Sequence, residues 1–402
     1  MLSITHLLIC YRKRLKNFQE AHRLFTEGKA KVKIAQLLGV SRPTIDQWLK
    51  QDTYQDERGW KAGRHRKYSE EINTRICELK QQRVDQHYFV GSDHVRKDYA
   101  ARHPEGILPT ESHIDKVVRD AGLQTKKPKE RRKNSAQYLL FPDQCIRDLG
   151  YVQQSADFIG KKYIAGRTEP INIFSTSYYF PFKLYQIKRV LAEKSEYAIA
   201  ELVALWRKYP IPNVFREDNG LQFRGGGNVK RSIGKFLKFL LNLHITPLFG
   251  APRKPWTNPH VEGHNRVFNE KVWGKNFFTS PEHIDQECER FNRESLELLH
   301  FKYAAMIFNG NFRYLECGQH INTETLETVR DKKVYFIRFV EACEGMGGTH
   351  IVVMNETVRI PEPYTHQFVL AEWDLEKELL NIYSEYQNVS MLIHQVKFAL
   401  QV

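Results

Sequence analysis

Apolar positions in KVKIAQLLGVSRPTIDQWLK, residues 31–50, recur at Ile34, Leu37 and Leu38 and again at Ile45, Trp48 and Leu49, the spacing of two short helices. Gly39 stops the first, and Ser41 caps a second that opens near Pro43. The pattern predicts a helix-turn-helix inside residues 1–60, with Arg42, Thr44, Gln47 and Lys50 on its outer side. The first three would meet base edges and Lys50 a phosphate. A plain helical hairpin with a solvated face shows the same stripe; the tight Gly-Val-Ser turn and the basic surroundings favour DNA. A second helical unit is expected over 68–124, where Ser69 caps a helix to about Arg83 and Thr110 opens another that closes on Gly122.

From Asp143 the period shortens. Residues 150–160, 171–174 and 182–187 read as strands, 195–207 as a crossover helix, and 213–216 as a strand parallel to the first. Asp157 and Asp218 would then leave the ends of two neighbouring strands at one edge of an α/β sheet. FREDNGLQF, residues 215–223, also fits a two-residue hairpin turn, because Asn-Gly tolerates positive φ. A partner strand should follow such a turn, yet Gly225, Gly226, Gly227 and a basic amphipathic helix over 229–241 come next. Farther on, Asn258 caps and Pro259 opens a helix that carries Glu262, with Val261 and Phe268 turned to the core. At about 100° per residue, Asn265 and Arg266 share the face of Glu262 while His260 and His264 lie on another, which argues against a His-Glu-His zinc site.

Charge adds a partner to this outline. Residues 1–134 hold 29 Lys and Arg against 17 Asp and Glu, residues 135–315 hold 25 against 17, and residues 316–402 hold 7 against 13. Double-stranded DNA is therefore the expected partner of the front and middle, through phosphate attraction, and the acidic tail is expected to meet protein, such as the basic front of a second subunit. Lys126, Lys127, Arg131, Arg132 and Lys133 fall in a basic linker over 125–142 that can lie along phosphates. No apolar run approaches the 18 or more residues of a membrane span, and Leu7-Leu8-Ile9-Cys10 is too short for a signal core, so a cytoplasmic protein is expected. The six cysteines are scattered without ligand spacing and read as reduced.

Two carboxylates from neighbouring strands and one from a helix suit a pair of hard divalent ions. Mg2+ takes oxygen ligands, and two ions about 4 Å apart can hold the attacking and leaving oxygens of an in-line displacement at phosphorus. The order Ala156-Asp157-Phe158, then Asp218-Asn219-Gly220 through Phe223, then Asn258-Pro259-His260-Val261-Glu262 with Asn265 and Arg266, resembles the DDE motif of transposases with a retroviral-integrase type of core. The helical front is similar to that of bacterial insertion-sequence members.

The resemblance implies a multidomain chain: all-α helix-turn-helix units at the N-terminus, an α/β ribonuclease-H-like catalytic core over 143–310 and a small all-β C-terminal barrel over 325–402. It implies that Asp157, Asp218 and Glu262 are the catalytic ligands of a two-ion site for Mg2+ (Mn2+ as a substitute), that Asn219, Gly220 and Asn265 support them, and that Arg266 meets DNA phosphate. The implied enzyme binds the terminal inverted repeats of a mobile element in the bacterial nucleoid, frees a 3′-hydroxyl and transfers it to target DNA, working as a homo-oligomer. Three departures stand beside this. Phe174 through Tyr179 stands where the family usually has an acidic turn followed by Ser-Arg, the gap from Asp218 to Glu262 is long, and Pro259 stands where glycine is frequent; Glu270 is thus an alternative third acid. A repressor with an inactive core, and a nuclease that cuts without joining, would carry the same residues.

Overall fold

The computed structural model describes residues 4–54, 67–124, 139–225, 227–319, 321, 323, 325, 327–343 and 348–401. The basic run from Lys126 to Lys133 lies outside the described residues. The chain divides into two compact units, Met1–Glu70 and Glu71–Val402.

The first unit holds α1 (Ile4–Thr26), α2 (Lys31–Leu38) and α3 (Arg42–Trp48). Both helices anticipated around Gly39 are present. Gly39 ends α2 in the left-handed conformation, φ 63°, and the Ser41 hydroxyl accepts the Thr44 N–H at the start of α3. Ile34, Ala35, Ile45 and Trp48 pack on Phe18, Ala21 and Leu24 of α1, a helix whose charged sequence hides its narrow apolar stripe. Leu37, expected inward, is 55% exposed because Ala35 takes the inner place beside Ile34.

The second unit opens with α4 (Glu70–Gln86), α5 (Ser92–Arg102) and α6 (Glu111–Asp120), closed around Ile76, Leu79, Val95, Tyr99, Ile114 and Val118. Then follow α7 (Asp143–Asp148), β1 (Gln153–Lys162), β2 (Ile171–Phe180), β3 (Leu184–Val190), α8 (Ser195–Trp206), β4 (Val214–Glu217), α9 (Leu221–Arg224), α10 (Lys235–Asn242), β5 (Thr246–Phe249), α11 (Pro259–Phe268) and α12 (Pro281–Asn309). Glu294 of α12 accepts hydrogen bonds from the Tyr88 and Phe89 N–H groups, each at 3.3 Å, and so ties the α4–α6 group to the core. No helix among the described residues is long and apolar enough to cross a membrane.

The C-terminal segments form β6 (Lys333–Phe339), β7 (Glu341–Cys343), β8 (Gly348–Val353), β9 (Glu356–Ile360), β10 (Phe368–Asp374), β11 (Leu379–Tyr386) and β12 (Val389–Lys397). They correct the expectation of a separate small barrel. Among the described residues the unit has one nine-stranded mixed sheet, ordered β12-β11-β10-β6-β5-β4-β1-β2-β3, beside a three-stranded sheet of β7, β8 and β9. β6 joins the free edge of β5 in parallel, through Leu248↔Tyr335 and Phe249↔Phe336, so the tail continues the core sheet. Alternating apolar positions set strands but do not say which edge they join. Part of the tail's acidity is spent internally: Glu372 accepts from Tyr335 Oη at 2.7 Å and Asn381 Nδ2 at 2.9 Å, and Glu385 accepts the backbone N–H groups of Gln144 and Cys145 at the start of α7.

The helix expected over 229–241 begins only at Lys235. Before it the backbone of Gly225 meets that of Gly234, where a Cβ built on Gly234 would lie 2.5 Å from Gly225 Cα. Two glycines are therefore required for the chain to cross itself there. Gly234→Ala is expected to cost about 1–3 kcal/mol, as overpacking against backbone does, measured by denaturant unfolding; an unchanged midpoint would contradict the crossing.

Candidate active site

β1 and β4 run parallel with Ser155 opposite Arg216, so two residues on Asp157 comes level with Asp218. Asp157 is not at a strand end, as expected, but fifth of the ten residues of β1. The shortness of β4 is what brings the two acids side by side, on strands about 4.8 Å apart. Asp218 then turns the chain: its Oδ1 accepts the Gly220 N–H at 2.8 Å, and α9 follows, which removes the hairpin reading. Glu262 projects from the first turn of α11.

Asp157, Asp218 and Glu262 line one pocket of about 290 Å3, together with Asn219, Gly220, Arg253 and Lys254. Burial, then Asp218, then Glu262 push the Asp157 carboxyl up to about 8, against the Phe158 N–H and Asn265. Asp218 is raised by burial against the Gly220 N–H, and Glu262 by burial and then by Asp218. On the opposite face of β4, Glu217 is fully buried with neither oxygen bonded among the described residues, and burial, then Asp218, raises its pKa well above the usual range.

Among the described residues no three His, Cys, Asp or Glu side chains converge tightly enough to hold one ion. A pair of ions divides its carboxylates between two centres. The donor set, all carboxylate oxygen, fits Mg2+ or Mn2+.

The raised Asp157 has a consequence for the metal-free protein. Its folded pKa, about 8, lies above the ordinary 3.8, so the folded chain keeps a proton that the unfolded chain has released. Stability should therefore fall as pH rises from about 4 to about 8 and level off above that. In EDTA, Asp157→Asn is expected to flatten this slope and raise the unfolding midpoint at pH 8; parallel wild-type and variant profiles would contradict it.

The structure brings together Asp157, Asp218, Glu262, Asn219, Gly220 and Asn265, whose Nδ2 donates to Asp157 Oδ2 at 3.0 Å. Glu270 and Arg266 go elsewhere: both line a neighbouring cleft and lie 4.0 Å apart, so Glu262 is the acid that joins the aspartates. His264 is buried, bonded to Ser175 Oγ at 3.1 Å and stacked on Tyr185. In the first unit, Arg42, Gln47 and Lys50 are exposed, whereas the Thr44 hydroxyl bonds to Ser41 Oγ at 2.8 Å as part of the cap.

Sequence reading missed Arg338 of β6. Fully surrounded by protein, its Nη2 donates to Asn219 Oδ1 at 2.8 Å, Nη1 to the Gly250 and Ile337 carbonyls at 3.0 and 2.8 Å, and Nε to the Val352 carbonyl at 2.7 Å. Asn219 Nδ2 donates to the same Gly250 carbonyl at 2.7 Å, so the turn after Asp218 is fastened to the loop after β5 and to the tail. A second brace comes from the β8–β9 turn, where Asn355 accepts from Arg224 Nη1 at 2.8 Å and donates to the Gly227 carbonyl at 2.9 Å.

No family model matches the chain, and no curated protein matches it. Among solved structures, the catalytic core domain of BIV integrase aligns at 14% identity and TM-score 0.26 over 43% of this chain and 91% of that one. The simian T-cell lymphotropic virus intasome in complex with PP2A regulatory subunit B56 gamma aligns at 12% and 0.30 over 70% and 98%. The Mos1 strand transfer complex aligns at 12% and 0.24 over 75% and 98%. Scores this low do not establish a shared fold.

Proposed function

We propose that the chain is a divalent-metal-dependent polynucleotidyl transferase of the DDE type, a transposase that binds element ends through its N-terminal helices, cuts a phosphodiester and joins the freed 3′-hydroxyl to target DNA. One observation carries this reading: acids from β1, from the turn after β4 and from α11 line a single pocket, where Asp218 and Glu262 raise the pKa of Asp157 and Asp218 raises that of Glu262. The order of the motif acids agrees with it. Mg2+ or Mn2+ held by Asp157, Asp218 and Glu262 would activate the attacking oxygen and steady the leaving one.

The chain's own groups do the positioning. Asn265 fixes one oxygen of Asp157, and Asn219, clamped by Arg338, fixes the turn that presents Asp218. Arg253 and Lys254 line the same pocket and can meet the charge of a backbone phosphate. On α3, Arg42 and Gln47 are exposed for base contacts and Lys50 for phosphate. Two DNA ends call for a homo-oligomer.

The test incubates purified protein with candidate terminal-repeat DNA, a supercoiled target and Mg2+ or Mn2+, following both cleaved and joined products. Both products support the proposal. Cleavage without joining would make the chain a nuclease, and tight binding with neither product would make it a repressor.

A further inference from the structure

Arg216 is 5% exposed, and its Nε is buried without a hydrogen-bond partner. Among the described residues the carboxylate that acts on it is Asp143, from beyond ion-pair distance. A buried cation left without a partner among the described residues is costly, which points to an anion supplied from outside. Its place in the sheet says where that anion would sit. Ser177, Ser155 and Arg216 form one row across β2, β1 and β4, and one pleat further along the same face come Asp157 and Asp218.

One pleat the other way on β2 is Tyr179, whose hydroxyl is also buried and unbonded. Its ring stacks on His260 with centroids 4.1 Å apart and planes 6° apart. His260 is the second residue of the ten-residue helix α11, whose first-turn N–H groups add positive potential. Arg216 is close enough to act on both rings: after burial it is the next cause that holds His260 down to about 4, and it works against the upward shift of Tyr179.

We infer that Arg216, Tyr179 and the start of α11 form a phosphate-binding subsite, which takes the backbone phosphate of a nucleic-acid strand next to the phosphate held at the carboxylates. The choice of nucleic acid rests on the function proposed above; the oxyanion site does not. Two residues along a strand advance about 7 Å, on the order of one nucleotide step.

The test follows the Arg216 Nε–H resonance of the full chain labelled with 15N-arginine, identified by its loss in Arg216→Lys. Inorganic phosphate is expected to move it saturably. A DNA duplex with Mg2+ should move it at far lower concentration, and the same duplex with an uncharged methylphosphonate backbone should not. Tyr179→Phe, which keeps the ring stack, should weaken phosphate binding roughly tenfold, the loss of one charge-assisted hydrogen bond. A resonance unmoved by phosphate and duplex in folded protein would overturn the subsite. Response to phosphate but not to duplex would overturn its assignment to nucleic acid. If the phosphate response is present in a wild type that cuts no DNA with either metal, the subsite stands and the proposed function fails.

Discussion

Asp157→Asn, Asp218→Asn and Glu262→Gln are each expected to lower metal-dependent strand cleavage on the order of a thousandfold or more, while gel-shift affinity for DNA stays nearly unchanged. Each change keeps size and hydrogen bonding and removes only the charge that holds a cation. The pocket makes the effect specific, because Glu270→Gln alters an acid of the same helical region that lines a different cleft and should leave cleavage intact. If Glu262→Gln stayed active while both aspartate variants were dead, the third ligand would have to be sought outside α11.

Arg338→Met should be the most damaging change remote from the acids. It strips hydrogen bonds from the Gly250, Ile337 and Val352 carbonyls and from Asn219 inside the protein, a loss of about 3 kcal/mol or more. Denaturant unfolding measures that loss. Arg338→Lys should not restore it, since one ammonium cannot span groups on four sides of a planar fork. Faster hydrogen exchange around Asp218 in Arg338→Lys would place the effect at the turn; exchange that matched wild type would show that the clamp does not hold it. For the same reason a chain shortened before Lys333 loses strands of the core sheet rather than a detachable module.

Local signals account for what was legible in the sequence. The Ser41 cap, the left-handed Gly39, the Thr110 cap and the parallel pairing of β1 with β4 follow from residues within a turn or a single crossover of one another. The motif acids were legible because strand, turn and helix N-terminus each leave a short signature. What escaped depends on distance along the chain. Arg338 reaches Asn219 across 119 positions, and nothing near Arg338 distinguishes it from a surface arginine on a strand. The joining of β6 to β5 is likewise a choice of edge, and α1 is held by a stripe of Phe18, Ala21 and Leu24 too thin to stand out among its charges. Glu262 and Glu270 were separated by the structure, which places the first in the pocket of the aspartates and the second in another cleft.

In the proposed function Asp157, Asp218 and Glu262 together hold divalent cations. An electron paramagnetic resonance titration of Mn2+ into the full chain tests it without a DNA substrate. Saturable Mn2+ binding to wild type is expected, weakened severely by Asp157→Asn and abolished by the triple change Asp157→Asn, Asp218→Asn, Glu262→Gln. Mn2+ binding of equal strength and number in wild type and in a folded triple variant would contradict it.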